Sequence, residues 1–401
     1  MKTKNSALRL TYLFLTLGIM TVNIAMAALH WERGGWDVKH HCVCSEKIVS
    51  GTDPYLEQAR ADLPASALRC TYPPFLYQII YHLFICPFNP RLVSLMMSLA
   101  AVVLLGVMLK PQGLEEILFT AALLTCGFSA LRNIMLSGNI VSLEFFLFGM
   151  ALIFLVRGHQ SVSGVVMALA GSIKIQPIAL GAGLAYMLPR NKIAGFLGAL
   201  AAAVLIIFMG SLFANPELFS SYAGFLYGTI IEDASTGLVE GGPSYDLSAK
   251  NFIKDVAFLV FGIAHQSPIP FLLWLVGVGY FLVRLKKKSW TDEEKLSVAA
   301  ILLLLAFPRL KNYTYILMTV PLVILYRKEP LVGQCIILAV LNVIPLALPV
   351  FFDMGFQLNS MTGKTFYFLI TYSNFYAALL ALYLTWRRLN ERNAKHLTDN
   401  R

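Results

Sequence analysis

Charge is what this sequence has least of. Asp, Glu, Lys and Arg make up 13% of its 401 residues and the mean hydropathy is +0.67, far from the composition of a soluble globular chain. A soluble enzyme or binding module is excluded. Alternating apolar and polar segments of about ten residues are missing too, which excludes an outer-membrane barrel. The basic residues are nowhere gathered into a stripe: the formal charge of +10 is spread in small groups, so a nucleic-acid partner is not indicated. Second Cys/His pairs at zinc-finger spacing are lacking. No internal repeat of the kind many secondary transporters carry is visible.

What the sequence does have is apolar runs, recurring from Leu8 to Trp386 and punctuated by short polar or Pro/Gly breaks. A spanning helix needs roughly 20 such residues. The expected fold is therefore all-α, a multi-pass membrane protein of about a dozen transmembrane or re-entrant helices, read as one membrane domain over 1–401. The first run, Leu10–Leu29, follows MKTKNSALR and contains Ala25-Met26-Ala27, the small-residue pattern of a signal cleavage site. It is longer than the roughly 7–15-residue signal core, so it reads as a retained helix. Residues 73–88 are too short to span comfortably and read as a surface-lying or re-entrant helix, and 161–188 is broken by SIKIQP into two half-length helices.

The small basic groups fall at alternate ends of the runs, and the side richer in Lys and Arg is the cytoplasmic one. That rule places both termini in the cytoplasm and two polar stretches, 30–90 with its short membrane-surface helix and 214–267, on the outer face. The outer side then holds the residues with chemistry. Asp37, His40, His41 and Asp53 lie in GGWDVKHHCVCSEKIVSGTDPY at 34–55. Arg132 and Asn139 lie in LRNIMLSGN, Lys174 in the broken helix pair, and Arg309 and Lys311 in FPRLKNY. Four cations near one face suggest an anion, and a lipid phosphate suits both the Arg fork and the Lys point charge. Arg132, Arg309 and Lys311 also fit snorkelling at helix ends. Lys174, between Gly171 and Pro177 in an apolar stretch, needs a partner, and broken helices line cavities.

His40, His41, Cys42 and Cys44 lack the spacer usual between paired Cys ligands, so no metal is expected. A disulfide from Cys42 or Cys44 to Cys70 is favoured in an oxidising compartment, leaving one thiol over. Cys86, Cys126 and Cys335 lie in apolar segments and read as packing residues.

Asp37 after the first helix, GTDPY at 51–55, YPP at 72–74, the turn at Gly138 and Asn139, and AGSIKIQP at 170–177 together resemble the polytopic GT-C glycosyltransferases. The resemblance is strongest to glycosyltransferase family 87, the polyprenyl-phosphate-mannose-dependent α-1,2-mannosyltransferases. It departs from the family pattern at Gly138-Asn139-Ile140-Val141 and at PRLKNY, which bear on acceptor and sugar rather than on donor class.

The resemblance implies an inverting sugar transfer from a polyprenyl-phosphate-sugar donor to a lipid or glycan acceptor on the outer face, with no cofactor. One carboxylate suffices as base, whereas a retaining or hydrolytic enzyme ordinarily uses two. Asp37 is the expected general base. Asp53 is its rival, although an Asp before Pro commonly turns or caps. Tyr55 and Tyr72 are sugar-packing candidates or members of the interfacial belt, and Asn139 completes the substrate set. Lys174, helped by Arg132, Arg309 and Lys311, would stabilise the departing phosphate. Two other functions compete: a transporter or flippase of lipid-linked sugars, and a glycan polymerase or ligase using a lipid-diphosphate donor.

Overall fold

Long uninterrupted apolar runs favour helices, since only a helix satisfies its backbone within one segment. The computed structural model bears this out. It describes residues 2–29, 36–56, 70–129, 140–232, 248–264, 267–308, 312–352 and 372–399, and among these no strand occurs. The helices are α1 (Lys2–Leu29), α2 (Trp36–Val49), the π-wound α3 (Leu76–Ile85), α4 (Pro90–Leu109), α5 (Gly113–Cys126), α6 (Val141–Val156), α7 (Gln160–Ile173) and α8 (Gln176–Ala185). They continue with α9 (Arg190–Ala214), α10 (Pro216–Glu232), α11 (Ala249–Phe261), α12 (Ile269–Lys286), α13 (Asp292–Ala306), α14 (Thr319–Tyr326), α15 (Leu331–Phe352) and α16 (Ser373–Asp399).

Four segments are long and apolar enough to cross a membrane unaided: Ala7–Met26, Leu92–Leu109, Arg190–Ala214 and Ile269–Lys286. Among the shorter apolar helices the degree of cover varies, and it is most complete in α14. Every residue of α14 is buried, as expected of a helix that is apolar all round. In α9, by contrast, only 11% of the membrane-length window is buried, so its apolar surface faces outward. Where α7 meets α9 the backbones touch: a Cβ on Gly164 would lie 2.4 Å from the Phe196 carbonyl oxygen. Small residues let membrane helices approach this closely. Gly164→Val is expected to lower the melting temperature sharply, by the 1–3 kcal/mol or more of an overpacked interior, because the obstacle is backbone and cannot rotate away; thermal unfolding in detergent would read it.

One end of the bundle is tied by charge. Arg9 meets Glu115 at 3.0 Å, Arg327 meets Glu293 at 3.4 Å and Arg388 meets Glu329 at 3.3 Å. Arg392 pairs with Glu294. The guanidinium groups of Arg157 and Arg327 donate to the Met108 and Leu109 carbonyls, satisfying acceptors that the end of α4 leaves open. Thr291 and Glu294 form a reciprocal cap at the start of α13, the side-chain pattern that stops an N-terminus from fraying.

Both polar stretches contain helices. The first contains α2, and the second contains α10 and α11. Most of the described chain shares one large core, while a second, smaller core joins α2, Tyr55, residues 70–85 and α10. We call the latter the polar-end lobe.

Candidate active site

The lobe is built on α2. Val38, His41, Cys44, Ser45 and Ile48 are all buried, a stripe at helical spacing made of unusual residues. His41 is 2% exposed. Its Nδ1 lies 2.8 Å from the Tyr77 hydroxyl, and its ring packs on Tyr72 and Tyr81. The Ser45 hydroxyl donates to the Tyr77 carbonyl at 2.7 Å. The wide π turn of α3 sets Tyr77 and Tyr81 on one face, 5.4 Å apart between centroids. Gly51, at φ +84°, ends α2. Its N–H donates to Ile48 and that of Thr52 to Lys47, the paired closure that glycine makes possible after a helix.

Asp53 then starts the next turn. Its Oδ1 accepts from the amides of Tyr55 at 2.9 Å and Leu56 at 3.2 Å, so this carboxylate caps a short helix that Pro54 opens. Tyr55 is completely buried. Its hydroxyl donates to the Tyr72 carbonyl at 2.7 Å and its ring meets Tyr222 edge-on. Burial pushes the Tyr55 pKa well above its ordinary value, with Tyr77, Tyr222 and Asp53 adding to the rise; that of Tyr222 is pushed up to about 12 by burial. Both stay neutral donors at physiological pH. Tyr72 is 3% exposed, and the two tyrosines serve the packing of the lobe.

Two disulfides close it, Cys42–Cys86 and Cys44–Cys70. The second is one of the two pairings left open by the first polar stretch, Cys42 or Cys44 with Cys70. The first corrects the reading of Cys86 as a packing residue and leaves no thiol over: α3 and its following turn bring Cys86 back beside α2. Cys126 and Cys335 are free. His40 Nε2 lies 3.5 Å from Cys44 Sγ, but that sulfur and Cys70 are bonded to each other and are not thiolates that could ligate a metal. Loop entropy makes each bridge worth about 3.5–4 kcal/mol. Cys42→Ser with Cys86→Ser is therefore expected to lower the unfolding temperature of the lobe, followed by proteolysis of the polar end. Peptide mapping without reductant checks both pairings.

The second part of the site is the break between α7 and α8. The ring of Pro177 clashes with the carbonyl four residues earlier if the helix continues, and that residue is Ile173, where α7 stops. Lys174 follows in extended conformation. The chain reverses so tightly that a Cβ on Gly171 would fall 2.1 Å from Ile178 Cγ1. Lys174 Nζ sits 3.1 Å from Glu144 Oε2, and the Glu144 side chain is fully buried in the first turn of α6. Glu144 Oε1 and the buried hydroxyl of Ser142 have no hydrogen-bond partner among the described residues.

Lys174 thus has the partner that its position demanded, and that partner is a residue the sequence reading passed over. A lone acid within VSLEFFLFGM was the available signal. The two parts meet: the lobe core includes Ile140 and Ile173, one just before α6 and the other immediately before Lys174. Asp37 lies in the first turn of α2, next to Val38 of that same core. Arg132, Asn139, Arg309 and Lys311 lie outside the described residues.

The model of glycosyltransferase family 87 matches residues 71–308, more than half of the chain. The chain belongs to glycosyltransferase family 87. It is accordingly a membrane glycosyltransferase, an enzyme with a sugar donor and an acceptor. No curated protein matches it. The matched span of this transferase holds Tyr72, Glu144 and Lys174, together with Arg132 and Asn139; Asp37, Asp53 and Tyr55 precede it, and Arg309 and Lys311 follow it.

Proposed function

We propose that this transferase takes a sugar, mannose by family resemblance, from a polyprenyl-phosphate donor and passes it with inversion to a lipid or glycan acceptor on the outer face of the membrane. The observation that carries the reading is the shared core at Ile140 and Ile173. It joins the lobe that bears Asp37 to the helix break that bears Lys174. The tied end of the bundle carries many basic residues, which supports placing it in the cytoplasm and the lobe outside.

In this mechanism the acceptor hydroxyl gives its proton to the Asp37 carboxylate as its oxygen attacks the anomeric carbon. The bond from that carbon to the phosphate oxygen breaks on the opposite face, and a polyprenyl phosphate leaves. Lys174 meets the growing phosphate charge, as preplaced cations do when they act on charge that develops late. Glu144 aims the ammonium, and its open Oε1 with the Ser142 hydroxyl supports a polar ligand beside it. Arg132, Arg309 and Lys311 are assigned as helpers on the phosphate and Asn139 as a sugar contact. Tyr55 and Tyr72 back the site from within the lobe, and Asp53 shapes the turn that holds them.

The test is transfer by purified, reconstituted protein from synthetic polyprenyl-phosphate-mannose, with the anomeric configuration of the product read by NMR. Inverted product is the expected result. Retained configuration, or turnover only with a diphosphate donor, overturns the reading; uptake of the intact donor without transfer would identify a transporter.

A further inference from the structure

At the tied end of the bundle, away from the lobe, a cavity of about 370 Å³ is lined by Tyr280, Phe281, Arg284, Lys287, Lys288 and Trp386. That volume suits a small ligand headgroup. Three of the six lining residues are cations and none is an acid. Arg284 Nε donates to the Tyr280 hydroxyl at 2.8 Å, and Lys288 Nζ donates to Asn390 Oδ1 at 2.8 Å. Both partners are neutral. Lys287 has no polar partner among the described residues. Glu391 is engaged by Arg387 at 2.7 Å, Glu293 by Arg327 and Glu294 by Arg392, and neither these acids nor the exposed Asp292 line the cavity. The lining therefore holds positive charge with no acid of its own to neutralise it.

Its walls are as telling as its charge. Tyr280 and Phe281 are 53% and 46% exposed on α12, a helix apolar and long enough to span. Trp386 is held edge-on by Trp290 at 5.0 Å and by Phe281 at 5.6 Å, and Lys288 lies 5.5 Å from its ring centroid. Aromatic rings beside cations at the end of a spanning helix mark the depth of lipid headgroups. Basic pockets between helices on the cytoplasmic side bind acidic heads.

We propose that this cavity binds an anionic phospholipid, with the phosphate on Arg284, Lys287 and Lys288 and the acyl chains along Tyr280 and Phe281. The site is separate from the sugar-transfer site and does not depend on it. The ligand chemistry, a phosphate ester, is shared by a soluble phosphate and by a polyprenyl phosphate; the exposed apolar wall on one flank argues against the first, and the relative retention of polyprenyl phosphate separates the second.

Native mass spectrometry of the full-length protein, released from mixed phosphatidylglycerol and phosphatidylcholine, tests this. Wild type is expected to retain phosphatidylglycerol selectively and to melt at a higher temperature in its presence. Arg284→Gln with Lys287→Gln, both on exposed positions, is expected to weaken retention about 30-fold, at roughly fivefold per cation near an anionic surface. The exposed cation Lys328, outside the cavity, serves as control: Lys328→Gln is expected to bind as wild type does. Equal retention by the double variant, or no preference over phosphatidylcholine, overturns the proposal. Displacement by glycerol 3-phosphate at equal concentration would make the site one for free phosphate esters, and stronger retention of polyprenyl phosphate would make it a carrier site; either overturns the lipid assignment.

Discussion

Asp37→Asn is expected to lower sugar transfer by about 10²- to 10⁴-fold, the usual contribution of a positioned general base, with little change in thermal stability. Position 37 is in the first turn of α2, where an acid is favourable to the helix, and Asn serves a helix start nearly as well as Asp. The substitution removes the proton acceptor and keeps the helix. Donor binding should persist, because the residues proposed for the phosphate lie on other elements, so the loss should appear in kcat and not in KM. Full transfer by a folded Asp37→Asn protein would falsify the assignment. Asp53→Asn makes the paired control: its carboxylate already caps the turn at Tyr55 and Leu56, and turnover close to wild type is expected.

Lys174→Met is expected to destabilise the fold by about 3–5 kcal/mol, because it strands the Glu144 carboxylate in a fully buried position and breaking one half of a buried pair costs that much. Removing both charges together should restore most of the stability, since a buried pair replaced by groups of similar size is often neutral. Glu144→Gln with Lys174→Met is thus expected to melt close to wild type and to transfer no sugar. Melting temperature and turnover, measured on wild type, Lys174→Met and the double variant, separate the structural role of the pair from its chemical one. Recovery of turnover in the double variant would remove Lys174 from the phosphate.

Much of the helical order was legible because hydrophobicity alone sets it. The ends of α4, α6 and α9 fall where apolar runs stop, and the α7–α8 break follows from Pro177. Where polar residues do the packing, the sequence misleads. The buried stripe of α2 is largely His, Cys and Ser, so HHCVC reads as part of a polar loop stiffened by a disulfide and not as a helix, whereas His41 and Ser45 spend their polar atoms on Tyr77. The helix α11 carries Lys, Asn and Asp along its length and hides among turn residues for the same reason. Glu144 is a single acid in an otherwise apolar helix, and only its 3.1 Å distance to Lys174 reveals what it is for. Cys86 shows the converse: its apolar surroundings say packing, and only the path of the chain through α3 brings it to Cys42.

Those two bridges also set an order of assembly. All four bonded cysteines lie at or before Cys86, so the covalent closure of the lobe requires nothing synthesised later. The helix break at Lys174 and the aromatic face of α10, with Tyr222 and Phe225, reach the lobe core only after its cysteines have been made. A chain stalled beyond Cys86 but before α7 would therefore carry every cysteine the two bridges need while lacking the helix break at Lys174 that packs on the lobe.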